Sequence, residues 1–202
     1  MEDIIDKYKT IASTSEGFFK EKGSKFYAFA FPINSENDIK PIQEKLRKEY
    51  YDARHHVFAW KLGVGDEHYR ASDDGEPANS SGPPILGQIR SHELSDILII
   101  VIRYFGGTKL GIPGLINAYK TAAKSAIDTN TIITRTITKR FKISFVYENM
   151  NLVMRKLKDE KLEQLNPKFE LQCSLEIEVK LSDSARIFNL FNNLQNISIK
   201  DC

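Results

Sequence analysis

Apolar positions along the chain follow two rhythms that change near residue 131. In the first half, "TSEGFFKEKGSKFYAFAFPI" carries two aromatic-rich runs on either side of a Lys-Gly-Ser-Lys turn, which predicts an antiparallel hairpin. "SENDIKPIQEKLRKEY" follows with Ser35 as a cap and Ile39, Ile42 and Leu46 on one face, predicting a helix over roughly 36–51. "RHHVFAWKLG" reads as a strand and "PPILGQIRSHE" as a short helix. The run in "LSDILIIVIRYF" does not alternate, so it predicts a central strand buried on both faces. Pro113 can sit in the first turn of the next helix, where "LINAYKTAAKSAIDT" is apolar on more than one side and packs deep against the sheet.

Beyond residue 131 the elements are shorter and more regular. "TITKRFKISFVYEN" predicts one long strand and "NLVMRKLKDEK" a helix with Val153, Met154 and Leu157 inward. "FELQCSLEIEVKLS" alternates at Leu175, Ile177 and Val179, and "SARIFNLFNNLQ" closes with a helix before "ISIKD". With a short strand near Leu162 to Asn166, the order becomes βαββαβ, the ferredoxin-like pattern. The fold class expected is α+β in two domains, 1–132 and 133–202. No Pro/Gly linker separates them, so they share a continuous strand or a short connection.

Composition narrows the function classes. At 202 residues, 41% hydrophobic and 28% charged, the chain can build one ordinary core or two small ones. Its longest apolar run, "ILIIVI", is far below the roughly 18 residues that cross a bilayer, so no membrane role is expected. "MEDIIDKYKT" lacks an apolar signal core, which makes the cytoplasm the expected location. Cys173 and Cys202 offer neither metal-ligand spacing nor a disulfide framework. Net charge is +2, with 17 Lys and Arg against 18 Asp and Glu through Asn130 and 12 against 9 afterwards. The local basic stripe is "TRTITKRFK". In a continuous strand Arg135 and Lys139 share one face and Arg140 and Lys142 the other, either as a solvated edge or as nucleic-acid contacts.

The chemistry-bearing segment is "YRASDDGEPANSSGPPILGQI". Asp73, Asp74 and Glu76 are hard oxygen ligands, but prolines stand where a calcium loop needs donors, and no metal is expected. Asp74-Gly75 instead reads as a positive-φ turn. Ser80 and Ser81 lack a nucleophile elbow, and the tandem His55-His56 sends one ring to each face of a strand. "RYFGGTKLGIPGL" is sharper. Arg103 ends a buried strand, Gly106 and Gly107 expose backbone amides, and Lys109 precedes a helix start, a constellation suited to an anion. The Walker order is missing, and the glycines are equally suited to a plain tight turn.

"SDDGEP", then "RYFGGTKLG", then "GL" opening a helix with "AY" inside it, resemble the YigZ/IMPACT family, as do "GSKF" and "DARHHVFAW" upstream. The resemblance spans essentially the whole chain. It implies an N-terminal domain similar to the ribosomal-protein superfold with a left-handed βαβ crossover, and a C-terminal domain similar to the ferredoxin-like fifth domain of elongation factor G. The eukaryotic relative regulates translation by competing for the activator of a translation-initiation-factor kinase, which implies partners among RNA, the ribosome or ribosome-associated proteins. Carried over by position, the motif gives Asp73, Asp74, Gly75, Glu76, Arg103, Tyr104, Gly106, Gly107, Lys109 and Gly114 as binding residues. Lys22, Lys25, Arg54, Arg135, Lys139 and Arg140 are the nucleic-acid candidates. The chain departs from the family at Asn79-Ser80-Ser81 and at Ile112-Pro113, where a hydroxyl is lost. The reading is a non-enzymatic binding protein without a cofactor; the alternative is an enzyme acting on a small anionic metabolite or peptide at the 73–114 surface.

Overall fold

The computed structural model describes residues 6–202; the first five residues of the N-terminal stretch weighed for a targeting signal lie outside them. The described residues form an α+β fold with five α-helices and three sheets. Two compact units result, Tyr8–Arg135 and Thr136–Cys202, the latter joined by Asp6 and Lys7.

The first unit contains β1 (Lys7–Ile11), β2 (Ser15–Glu21), β3 (Ser24–Pro32), α1 (Ile39–Glu49), β4 (His55–Lys61) and β5 (Tyr69–Ser72). It continues with α2 (Gly82–Ser91), β6 (Ile97–Tyr104), α3 (Gly111–Asp128) and β7 (Ile132–Thr136). Five strands pair antiparallel in the order β2-β3-β6-β4-β5, so the strand with the unbroken apolar run lies at the centre. Alternation along β6 splits its side chains between two cores. Ile97, Ile99 and Val101 pack with α2 and α3, while Leu98, Ile100 and Ile102 pack with Trp60 and Leu46 on the α1 side. Buried alanines at 118, 122, 123 and 126 let α3 approach the sheet closely. At Gly17 the approach is such that a Cβ would lie 2.3 Å from the Ala126 nitrogen.

β2 and β3 form the expected hairpin, closed by Lys22 and Gly23, both with positive φ as a two-residue type I′ turn requires. The helical run starts at Glu36 behind the expected Ser35 cap, but its first turn, Glu36–Asp38, is 3-10 and the α-helix proper is Ile39–Glu49. Asp38, the third residue after the cap, completes a capping box with Ser35: its carboxylate accepts the amides of Asn34 and Ser35, at 2.7 and 3.1 Å.

The second unit contains β8 (Thr138–Val146), α4 (Met150–Asp159), β9 (Leu165–Lys168), β10 (Gln172–Lys180), α5 (Leu181–Asn192) and β11 (Ile197–Asp201). Its sheet order is β11-β8-β10-β9, every pairing antiparallel. Phe141, Ile143, Leu175 and Ile177 face Val153, Leu157, Ile187 and Phe191 from the two helices. The long strand expected from "TITKRFKISFVYEN", residues 136–149, is β8, whereas the continuous strand considered across the join does not form. Upstream of it β7 pairs with β1, and Ile137 breaks the ladder by donating to the Asp6 carbonyl at 2.6 Å and accepting from Leu181 at 2.9 Å. The short strand also begins later than expected, at Leu165. Leu162 is taken up in ending α4: Lys161 turns left-handed and the Leu162 amide bonds the Leu157 carbonyl at 2.9 Å, a Schellman closure.

Candidate functional site

The loop between β5 and α2 is built by its three acids, each with a separate task. Asp73 caps α2. One carboxylate oxygen accepts the amides of Ser81 (3.0 Å) and Gly82 (2.8 Å) and the Ser81 hydroxyl (2.6 Å), and the other accepts the Asn79 amide at 2.8 Å. Burial pushes the Asp73 carboxyl up, but these hydrogen bonds outweigh it and hold the group below the ordinary carboxylate value. Asp74 and Gly75 occupy the positive-φ corner of a turn closed by the Glu76 amide on the Asp73 carbonyl at 2.9 Å. The Asp74 carboxylate accepts the His56 amide at 2.6 Å and Arg47 at 3.0 Å, tying the loop to β4 and α1. Its carbonyl faces His55 Nδ1 at 2.9 Å.

Glu76 points inward. Arg103 leaves β6 on the same face as Ile99 and Val101, and its guanidinium meets Glu76 at 2.6 Å with both side chains more than nine-tenths buried. The same carboxylate oxygen accepts the Tyr119 hydroxyl from α3 at 2.7 Å. Burial and the neighbouring Glu76 charge push that phenol far up, so it stays protonated and donates. Tyr119 stands edge-on to Phe26, 5.1 Å between centroids, and Arg103 lies 5.6 Å from the Phe26 ring.

The turn from β6 into α3 is fixed by close backbone approach. A Cβ at Gly106 would lie 1.9 Å from the Gly23 carbonyl carbon, and the Gly106 amide donates to Ser24 Oγ at 3.1 Å. Tyr104 donates to Asp52 at 2.6 Å, and its hydroxyl is pushed up to about 12, chiefly by that hydrogen bond.

Loop and turn together frame a cleft of about 670 Å³. Glu76 and Arg103 line its base, Phe105, Ile112 and Leu115 its apolar side, and Arg54 and Lys109 are its other cations. Phe105 is 58% exposed and Ile112 53%. Among the described residues Lys109 has no ion-pair partner, and Arg103 Nε is buried without one.

Of the residues expected at this surface, Glu76, Arg103, Tyr104 and Lys109 line the cleft. Asp73, Asp74 and Gly75 brace it from behind, Gly106 and Gly107 shape the turn into α3, and Gly114 lies in the first turn of α3 itself. Arg54 lines the cleft, and Lys22 and Lys25 flank the hairpin glycine that receives Gly106. The basic stripe does not form one strand. Arg135 belongs to the first unit and bonds Asn34 at 3.3 Å; Lys139 and Arg140 belong to the second and meet Asp201 at 3.0 Å and Glu176 at 3.9 Å. Ser81 donates to Asp73 and Ser80 to the Pro77 carbonyl at 2.6 Å, and no hydrogen bond joins either to an imidazole. Among the described residues no group of three or more His, Cys, Asp or Glu could hold a metal. No described helix is long and apolar enough to cross a membrane. Tyr119 and Asp52 join the site without having been expected there; the sequence signal for them is their place in "AY" and "DARHHVFAW".

Fold and site define a two-unit α+β protein whose first unit carries a braced cleft with exposed cations. The Impact N-terminal domain matches residues 22–127, and the chain belongs to the IMPACT family. It is 27% identical over 156 residues to the IMPACT family member YvyE of Bacillus subtilis, covering 77% of this chain and 72% of that one. It is 30% identical over 159 residues to an IMPACT family member of Haemophilus influenzae, covering 76% of each. A crystal structure of a hypothetical protein shares the fold at a TM-score of 0.72, with 24% identity over 97% of each chain.

Proposed function

We propose that this chain is a non-enzymatic binding protein linked to translation through RNA, the ribosome or a ribosome-associated protein, and that the 73–114 cleft is its recognition site. The observation that carries this reading is the state of the acids. Asp52, Asp73, Asp74 and Glu76 are all engaged by internal donors, so each is committed to holding shape rather than to moving a proton. What remains free in the cleft is cationic and aromatic, as recognition of an anionic partner demands. The translation link is supported by the regulatory role of eukaryotic relatives, and the cytoplasm is the expected place of action.

The domain reading belongs to the same proposal. A ferredoxin-like second domain is supported by the βαββαβ order and the strand order β11-β8-β10-β9. A ribosomal-protein-like first domain is supported by β3 and β4, which run parallel to one another across an intervening β6 with α1 between them in sequence.

The cleft volume lies within the range of small-molecule sites, about 300–1,000 Å³, which favours a second reading: an enzyme acting on a small anionic metabolite or peptide. Incubating the purified chain with panels of phosphorylated metabolites, carboxylated metabolites and peptides separates the two. Absence of turnover, with retention of RNA or ribosomal subunits, is the result expected. Saturable turnover lost on Lys109→Ala, with nothing retained, would replace the first reading by the second.

A further inference from the structure

We infer that the cleft takes a nucleoside phosphate, with the phosphate on Arg103 Nη2 and on Lys109 and the base against Phe105. This rests on the recognition reading above and gives its ligand a chemistry. A guanidinium carries five N–H donors, and Glu76 engages Arg103 through Nη1. Arg103 Nη2 is left to donate a charge-assisted hydrogen bond to an oxyanion. Nε is buried without a partner, no hydrogen bond is made by Nη2 among the described residues, and the side chain is 8% exposed. Leaving donors unpaired in so buried a side chain is costly, and a ligand oxygen on Nη2 recovers part of that cost.

The surroundings add charge of the same sign. Arg54 and Lys109 stand in the cleft wall without acid partners among the described residues, whereas its two acids are occupied, Glu76 by Arg103 and Tyr119 and Asp52 by Tyr104. Gly111 and Ile112, the opening residues of an 18-residue helix, also line the cleft, and the first amides of a helix have no intrahelical acceptor. Two uncompensated cations beside an incompletely paired guanidinium match a phosphate, close to doubly charged at neutral pH, better than a single carboxylate. Next to them Phe105 exposes 58% of its surface, with Arg103 5.6 Å behind its ring. An exposed ring backed by a guanidinium is a stacking platform for a base.

A free mononucleotide and the phosphorylated end of an RNA strand present the same chemistry, and titration calorimetry on the full chain distinguishes them. The probes are adenosine monophosphate, adenosine, inorganic phosphate, and one short single-stranded RNA ending in either phosphate or hydroxyl. Binding is expected for adenosine monophosphate, for the phosphate-ended RNA, or for both, and the pattern names the source. Adenosine and inorganic phosphate should each bind at least about tenfold more weakly, since each forfeits one half of the contacts. Lys109→Ala and Phe105→Ala, both exposed positions, should each weaken binding about tenfold. Equal binding of adenosine and its monophosphate, insensitivity to both substitutions, or no saturable binding of either phosphorylated probe would overturn the inference. Retention of ribosomal subunits without nucleotide binding would sink this inference alone; loss of both would remove the recognition reading as well.

Discussion

At the scale of single residues, the Glu76–Arg103–Tyr119 cluster should dominate local stability. Removing one partner of a buried ion pair costs about 3–5 kcal/mol, so Glu76→Gln should lower the unfolding free energy measured by urea denaturation by an amount of that order. Tyr119→Phe removes one hydrogen bond to a charged group and should cost about 1.5 kcal/mol. His56 and Asp73 are two of the groups that give stability a pH dependence. His56 is buried, and desolvation, assisted by Arg47, pulls its pKa below the ordinary 6.5. A depressed histidine contributes stability that is present above its unfolded value and lost as pH falls through the folded one. Unfolding free energy should therefore decline from about pH 6.5 downward, and His56→Leu should remove that slope. The depressed Asp73 adds to a second decline below its ordinary 3.8, which Asp73→Asn should make shallower, the depressed Asp38 and Glu93 supplying the rest. Much of this cluster was legible in the residues. Arg103 at the end of an apolar strand needed a counter-charge, and Asp74-Gly75 and Asn79 adopt the positive φ their residue types favour. Tyr119 was not legible, because its bond to Glu76 spans 43 positions and depends on where α3 lies across the sheet.

At the scale of elements, the two adjacent glycines of the β6–α3 turn have different physical roles. A Cβ at Gly106 would collide with the backbone at Gly23, and backbone cannot swing aside as a side chain can. Gly106→Ala should cost about 3 kcal/mol by forced overpacking and separate the turn from the hairpin. Gly107 has open space around it but a φ of 88°, so Gly107→Ala should cost only about 1 kcal/mol of backbone strain. Denaturant midpoints of the two variants check the order. Element type was readable where the period is strong, as in β6, β10 and the helices, whereas the short strands β1, β5 and β7 were not read. Boundaries were less so: the break at Ile137 and the closure of α4 by Leu162 are set by backbone partners that no apolar period records. For the same reason the basic stripe looked like one surface and is shared between two units.

At the scale of the whole molecule, contacts concentrate within Tyr8–Arg135 and within Thr136–Cys202. The first unit, expressed as residues 8–135, should unfold in one cooperative transition, since it contains the five-stranded sheet and both of its cores. Multiphasic unfolding of that fragment would count against its independence. What the units do together is a question of partners, and the central claim is that the cleft of the first unit recognises a translation-linked partner. Cosedimentation of the full chain with purified ribosomal subunits and with RNA, across a series of salt concentrations, tests it most directly. Lys109→Ala serves as the paired variant, because an exposed lysine contributes less than about 0.5 kcal/mol to folding. Retention at low salt that falls steeply as salt rises, with weaker retention and a shallower salt slope for Lys109→Ala, is the expected result. Absence of retention at low salt, or retention that Lys109→Ala leaves unchanged, would contradict the claim.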